Sequence, residues 1–277
     1  MAKNNSKDDI TDSKEQQDNI ARNQGLSAVS VYGIVHQEGV DELNRPLSSL
    51  WWSGVAAGLG ITASVTAEGI LHGVFEGHPY REAIENLGYS VGFVLVILGR
   101  LQLFTENTLT AILPLLIQRT PQMLWCTARL WAIILVANFV GAFLAIAFAI
   151  WGGVIPDQHI EGMLAISRHF AEREPWAAFA HGVPAGFYVA AIVWMMPSAR
   201  GGAAVLVIVM FTYLIAMGEF THVIAGSAEL FLLMLSGGIA PMQVASLLGA
   251  TLVGNILGGT GLFALLAYGQ VAREIPD

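Results

Sequence analysis

Charge is what this sequence has least of. Only 12% of its 277 residues are Asp, Glu, Lys or Arg, about half the share of an ordinary soluble domain. The shortage is uneven, because residues 1–47 hold 13 of the 34 charged residues. The rest of the chain is about 9% charged, too little to cover the surface of a soluble fold. Cysteine is nearly missing too. The one present, Cys126, excludes a disulfide framework and any thiolate metal cluster. A net charge of −8 leaves no basic surface for phosphate backbones, so nucleic acid is not an expected partner. The seven His residues are scattered without metal-ligand spacing, and no nucleophile–base pair stands out. No metal, cofactor or enzymatic activity is therefore expected. What fills the chain is apolar: 55% hydrophobic residues and a mean hydropathy of +0.60. It reads as an all-α polytopic membrane protein whose surroundings are the lipid bilayer.

The organisation follows from where the apolar residues stand. Residues 1–47 form a polar N-terminal tail, and residues 1–25 have no apolar run and read as disordered. Residues 26–47 have the makings of a short surface helix, with Val29, Val31, Ile34 and Val35 on one side. Residues 48–270 hold the membrane domain, and 271–277 a short C-terminal tail. A crossing helix needs about 20 apolar residues. Six stretches qualify: 48–72, 84–117, 123–152, 176–198, 202–236 and 240–269. The second and fifth are too long for one plain helix, and each has a polar interruption. These predict breaks at Phe104-Thr105-Glu106-Asn107-Thr108 and at Gly218-Glu219-Phe220-Thr221-His222. Arg81, Arg168 and Arg173 are outnumbered by the Lys and Arg residues of the opposite side. That bias predicts two cytoplasmic termini.

The two halves, about 48–152 and 176–270, resemble each other. Gly54-Val55-Ala56-Ala57-Gly58 matches Gly182-Val183-Pro184-Ala185-Gly186. Phe104-Thr105 matches Phe220-Thr221, and Asn138-Phe139-Val140-Gly141 matches Asn255-Ile256-Leu257-Gly258. Three spans per half make the repeat inverted. The glycines have a packing explanation, since small residues four apart let helices approach closely in lipid. Asn138 and Asn255 are expected to brace the broken helices, where freed backbone groups need partners.

A helix interrupted at membrane depth presents free N–H groups and a positive dipole end, which favour a small anion. Thr105 and His222 are the side chains best placed to meet it, and the breaks are expected to converge on them. Thr105 has a capping role as an alternative, and His222 a core role. Arg100 pairing with Glu68 or Glu106 would hold the first break, with Asn107 and Thr221 as further supports. Glu68, Glu219 and Glu229 are the other acids in or near the spans.

These residues resemble the formate/nitrite transporter family over roughly residues 48–270. Tyr89-Ser90-Val91-Gly92-Phe93 followed by Leu103-Phe104-Thr105 is similar to its second-span signature. His222-Val223-Ile224-Ala225 resembles its fifth-span motif with the central His. The Asn-Gly motifs at Asn138 and Asn255 resemble those of its third and sixth spans. The resemblance implies an aquaporin-like protomer, a homopentamer in a bacterial inner membrane, and one anion pathway per protomer. It also implies apolar constrictions flanking the His, which by position fall on Tyr89, Phe93, Leu103, Phe104, Val189 and Leu214. The chain departs from the pattern at several points. Gln102 stands where an acid is usual, Gly226 replaces an Asn after the His motif, and Phe170 aligns with a usual Lys.

The expected activity is passive or proton-coupled passage of a small monovalent anion such as formate, nitrite or hydrosulfide. A neutral-solute channel is the alternative within transport, disfavoured because the breaks have no Asn-Pro-Ala signature. A non-conducting scaffold or sensor of the same fold is the alternative outside it.

Overall fold

A computed structural model describes residues 25–275. The expected surface helix forms as α1 (Ala28–Asn44), with Ser27 capping it through the Ser30 N–H at 3.2 Å. Its packed side differs from the expected one. Val31, Tyr32, Val35, Gly39 and Leu43 are buried, whereas Ile34 is exposed. The buried positions follow an i, i+4 stripe that places Ile34 off the face. The residues before 25 lie outside the described part.

Helix α2 (Leu47–Val74) is the first long apolar helix. After it come a short α3 (Arg81–Glu85) and then α4 (Tyr89–Leu98), α5 (Phe104–Thr110) and α6 (Ile112–Ile117). A 31-residue α7 (Pro121–Trp151) follows, then the amphipathic α8 (Asp157–Ala171) and α9 (Pro175–Met195). The chain closes with α10 (Gly202–Met217), α11 (Val223–Leu235) and α12 (Pro241–Ile256). A π-helical stretch, Leu257–Ala264, joins α12 to α13 (Leu265–Val271). No strand occurs among the described residues.

Four helices are long and apolar enough to cross a membrane: α2, α7, α9 and the continuous Pro241–Val271. Proline opens three of them at the first turn, where its missing N–H costs nothing. Trp52, Trp125, Trp151 and Trp176 lie near helix ends and are each at least 69% exposed, as residues of an interfacial belt are.

The first interruption is not where the polar run suggested. Phe104 to Thr108 are already helical, and the break runs from Gly99 to Leu103. Arg100 ends α4 in the left-handed region with φ 54°. The Leu101 N–H then donates back to the Val96 carbonyl at 3.0 Å, a helix stop that normally uses glycine. Glu219 does the same after α10, with φ 51° and the Phe220 N–H on the Ile215 carbonyl at 2.9 Å.

The Phe-Thr match is corrected by the same geometry. Phe104-Thr105 open α5, whereas Phe220-Thr221 precede α11. The residues in equivalent positions are Leu103 and His222, both extended caps of the helix that follows.

Helix α2 packs on α7 and α9 on α12 through the matched glycines. A Cβ on Gly58 would strike the Asn138 carbonyl, and one on Gly141 the Val55 carbonyl. In the second half, Gly186 meets Asn255 and Gly258 meets Val183 in the same way. Gly249 has open space beside it. Gly141→Val should therefore lower the thermal midpoint in detergent by the equivalent of about 1–3 kcal/mol or more, and Gly249→Val should change it little. Equal midpoints for the two variants would show that backbone approach is not what limits this contact.

Candidate functional site

Two breaks inside a membrane domain leave backbone groups unpaired, and two amides take them up. Asn138 of α7 accepts from the Phe104 N–H at 2.9 Å and donates to the Gly54 and Gln102 carbonyls, both at 2.8 Å. Asn255 accepts from the Val223 N–H at 2.8 Å and donates to the Gly182 carbonyl at 2.8 Å and the Thr221 carbonyl at 2.9 Å. Both side chains are fully buried.

The remaining supports divide. Asn107 donates to the Leu103 carbonyl at 2.9 Å and to Gln102 Oε1 at 3.2 Å. The Thr221 hydroxyl donates to the Ala178 carbonyl at 2.6 Å. The Glu106 side chain supports nothing at the break, and its Oε1 is buried without a partner among the described residues. Arg100 reaches neither Glu68 nor Glu106. Its guanidinium is mostly exposed and pairs with Glu38 of α1 at 3.2 Å, because a left-handed helix stop turns the side chain out of the bundle.

The breaks meet at Thr105 and His222. Thr105 Oγ1 lies 2.7 Å from His222 Nε2, with both residues buried. The Ala225 N–H donates to His222 Nδ1 at 3.1 Å, so the imidazole caps α11. With Nδ1 an acceptor, the ring hydrogen belongs on Nε2, facing Thr105. The Thr105 and Ile224 N–H groups, next in line at the two helix starts, have no protein acceptor among the described residues.

Five of the six apolar residues expected around the His lie in one buried apolar cluster. Phe93 stacks edge-on against the His222 ring at 5.0 Å, and Tyr89 lies 5.1 Å from Phe93. Leu103, Phe104 and Val189 are buried, with Phe104 against Trp131 at 5.8 Å. Leu214 does not belong with them. It is 41% exposed, and its neighbour Ile215 is buried and faces the cavity above His222. One residue turns a helix by about 100°, enough to exchange the inward position for an outward one.

That cavity has a volume of about 300 Å³ and reaches His222 and Thr221 at its floor. It opens at the end of α2 remote from α1. Phe170 and Gly226, two of the departures from the family pattern, meet here: the Phe170 ring occupies the space that a Cβ on Gly226 would need. Sequence reasoning missed several partners of the site. Gln102, besides bonding Asn107, donates to Glu42 Oε1 at 3.1 Å, and the Thr110 hydroxyl donates to Glu42 Oε2 at 2.7 Å. Burial pushes the Glu42 carboxyl above its usual range, against the pull of those two bonds. As one of three acids in a mixed surface helix, Glu42 had no feature that marked it in advance.

Asn138→Leu and Asn255→Leu should each reduce thermal stability in detergent by about 1–3 kcal/mol for every backbone group left unpaired. Asn→Asp at either position should also destabilise, since a carboxylate keeps the acceptor but loses both donors. Unchanged midpoints in all four variants would show that the amides do not hold the breaks.

The Formate/nitrite transporter family model matches residues 29–269. Inner membrane protein YfdC of Escherichia coli (strain K12) is 36% identical over 256 residues, covering 90% of this chain and 81% of that one. Formate-nitrite transporter 3 of Toxoplasma gondii is 25% identical, covering 83% of this chain and 49% of its own. Among solved structures, a pentameric formate channel with formate bound has a TM-score of 0.69 at 21% identity. It covers 82% of this chain and 98% of that chain. An FNT family ion channel has a TM-score of 0.77 at 17% identity, covering 90% and 100%. Transporters and channels, not enzymes, are what this chain is similar to, and it belongs to the formate/nitrite transporter family.

Proposed function

We propose that the protein carries small monovalent anions of weak acids, of the formate, nitrite or hydrosulfide class, across a bacterial inner membrane. The observation that supports this most is the junction of Thr105 and His222 at 2.7 Å. Each belongs to the start of an apolar half-span, Phe104–Ile117 and Val223–Leu235, with an unengaged backbone N–H beside it. Donors of this kind stabilise negative charge without a fixed cation. The ring hydrogen of His222 adds another, shared at rest with the Thr105 hydroxyl.

Phe93, Tyr89 and Ile215 above the His, with Leu103, Phe104 and Val189 beyond it, serve as constrictions. A bare anion is poorly compensated among such side chains, so the species that passes them is the neutral acid. The anion takes a proton on one side and returns it on the other. Membership of the family, the relative named an inner membrane protein and the pentameric formate channel support the setting. In it, five copies assemble, each with its own path through residues 48–270. The Lys and Arg distribution supports cytoplasmic termini. The matched asparagines and glycines support an inverted repeat of three spans and three.

Proteoliposome flux of formate, nitrite, acetate, lactate and hydrosulfide at two pH values tests the reading. His222→Asn keeps a donor but no titratable ring, so flux should persist at neutral pH and lose its dependence on acidity. His222→Phe should assemble, by gel filtration, and conduct little. A His222→Phe protein that assembles and conducts like the parent would remove His222 from the mechanism.

A further inference from the structure

The cavity above His222 carries more acid than an anion path needs. Its two arginines are engaged. Arg173 pairs with Glu219, and Arg81 lies 3.8 Å from Glu85, which also holds His72 at 2.8 Å. Two carboxylates deeper in the wall, Glu68 of α2 and Glu229 of α11, form no ion pair among the described residues. Arg173, held by Glu219, is nevertheless near enough for its charge to reach Glu229, and His169 lines the same cavity. Glu68 is only 7% exposed, lines the cavity, and makes no hydrogen bond or ion pair with the described residues. Glu229 lines the same wall. The packing of α2 on α11 through Val65, Ala228 and Leu232 brings the two together. Between them and His222 stands Tyr89, whose ring continues into Phe93 at 5.1 Å and His222 at 5.0 Å.

Two unpartnered carboxylates beside an aromatic ring form a recognition set for a compact organic cation. The carboxylates accept its N–H groups, and the ring attracts its charge. We propose that Glu68, Glu229 and Tyr89 form a binding site for a small protonated amine of the ammonium or methylammonium class, and that this weak base is a second substrate of the path. The bound ammonium group gives one proton to a carboxylate: an N–H bond breaks, a carboxyl O–H bond forms, and a neutral amine remains. The amine passes Phe93 uncharged. The carboxyl then returns its proton to the water of the cavity, which resets the site. The membrane-depth segment discriminates against charge of either sign, while the acids at its mouth favour a base.

This goes beyond the anion reading and is separable from it. Uptake of radiolabelled methylammonium and of formate is measured at pH 7 in phosphatidylethanolamine–phosphatidylglycerol liposomes containing the full-length protein. Glu68→Gln, Glu229→Gln and the double variant are compared, with gel filtration as the assembly control. Methylammonium uptake by the parent should exceed that of empty liposomes and fall at least tenfold in the double variant, while formate uptake stays level or rises. Tetramethylammonium, which has no N–H proton to give, should inhibit methylammonium uptake and not cross. Formate uptake without methylammonium uptake by the parent overturns this proposal and leaves the anion reading standing. Methylammonium uptake without formate uptake does the reverse. Equal methylammonium uptake in parent and double variant, or passage of tetramethylammonium, also overturns it.

Discussion

The structure depends on two amide side chains. A helix broken in the middle of a bilayer exposes backbone groups that water cannot reach. Each break here leaves an N–H and a carbonyl near the facing long helix. The long helix packed beside it, α2 or α9, turns one further carbonyl (Gly54 or Gly182) to the same point. An asparagine offers one acceptor and two donors, which matches that need group for group. Asn138 does this for the first break and Asn255 for the second. Neither could do so from a distance. Gly58 and Gly141, and their counterparts Gly186 and Gly258, bring the helix backbones together at the same level as the amides. Close packing and polar satisfaction are thus one arrangement. A larger residue at a glycine would move the amide out of reach of the break it serves.

How much of this was legible varied with the physical signal. The four long apolar helices were, because lipid demands an apolar run of a given length and few charges. The second break was, since Gly218-Glu219 coincides with the helix stop. The first was misplaced because polarity was taken for interruption. Thr105, Asn107 and Thr108 satisfy their side chains inside or beside α5, so a polar helix start imitated a gap. The true stop is Arg100, a non-glycine residue in the left-handed region, which no sequence pattern marks. The same error misaligned the Phe-Thr pair. Glu68 and Glu229 stood out individually as membrane acids. Their shared cavity depends on α2 meeting α11, a long-range contact beyond the reach of periodicity.

The N-terminal helix α1 is tied to the first break by side-chain bonds. The family resemblance leads one to expect an acid at position 102, and this chain has Gln102 instead. The structure brings Glu42 of α1 to that glutamine, so the acid is supplied from outside the span. Arg129 of α7 donates to the Leu43 carbonyl at 2.8 Å, and Arg100 pairs with Glu38. Burial holds His36 of the same helix below its ordinary range. Helix α1 is therefore part of the packed domain. Changes in its seating reach Gln102 and, through the Asn138 bond to the Gln102 carbonyl, the start of α5.

Formal charge along the candidate path is confined to its two ends. Glu42, Glu38 and Arg100 gather at one, and Glu68, Glu229 and the engaged arginines at the other. Between them lie Thr105, His222, Asn138 and Asn255, donors and acceptors whose bonds with one another and with the backbone are mutual. A centre built this way tolerates a polar molecule better than an ion, because it can exchange one hydrogen bond for another. It has no permanent countercharge to offer an ion. Carboxylates stand at the mouths, so they can take part in proton exchange beside the titratable ring of His222. The choice between a weak acid and a weak base rests on the sign those mouths attract together with the donors gathered at the central histidine.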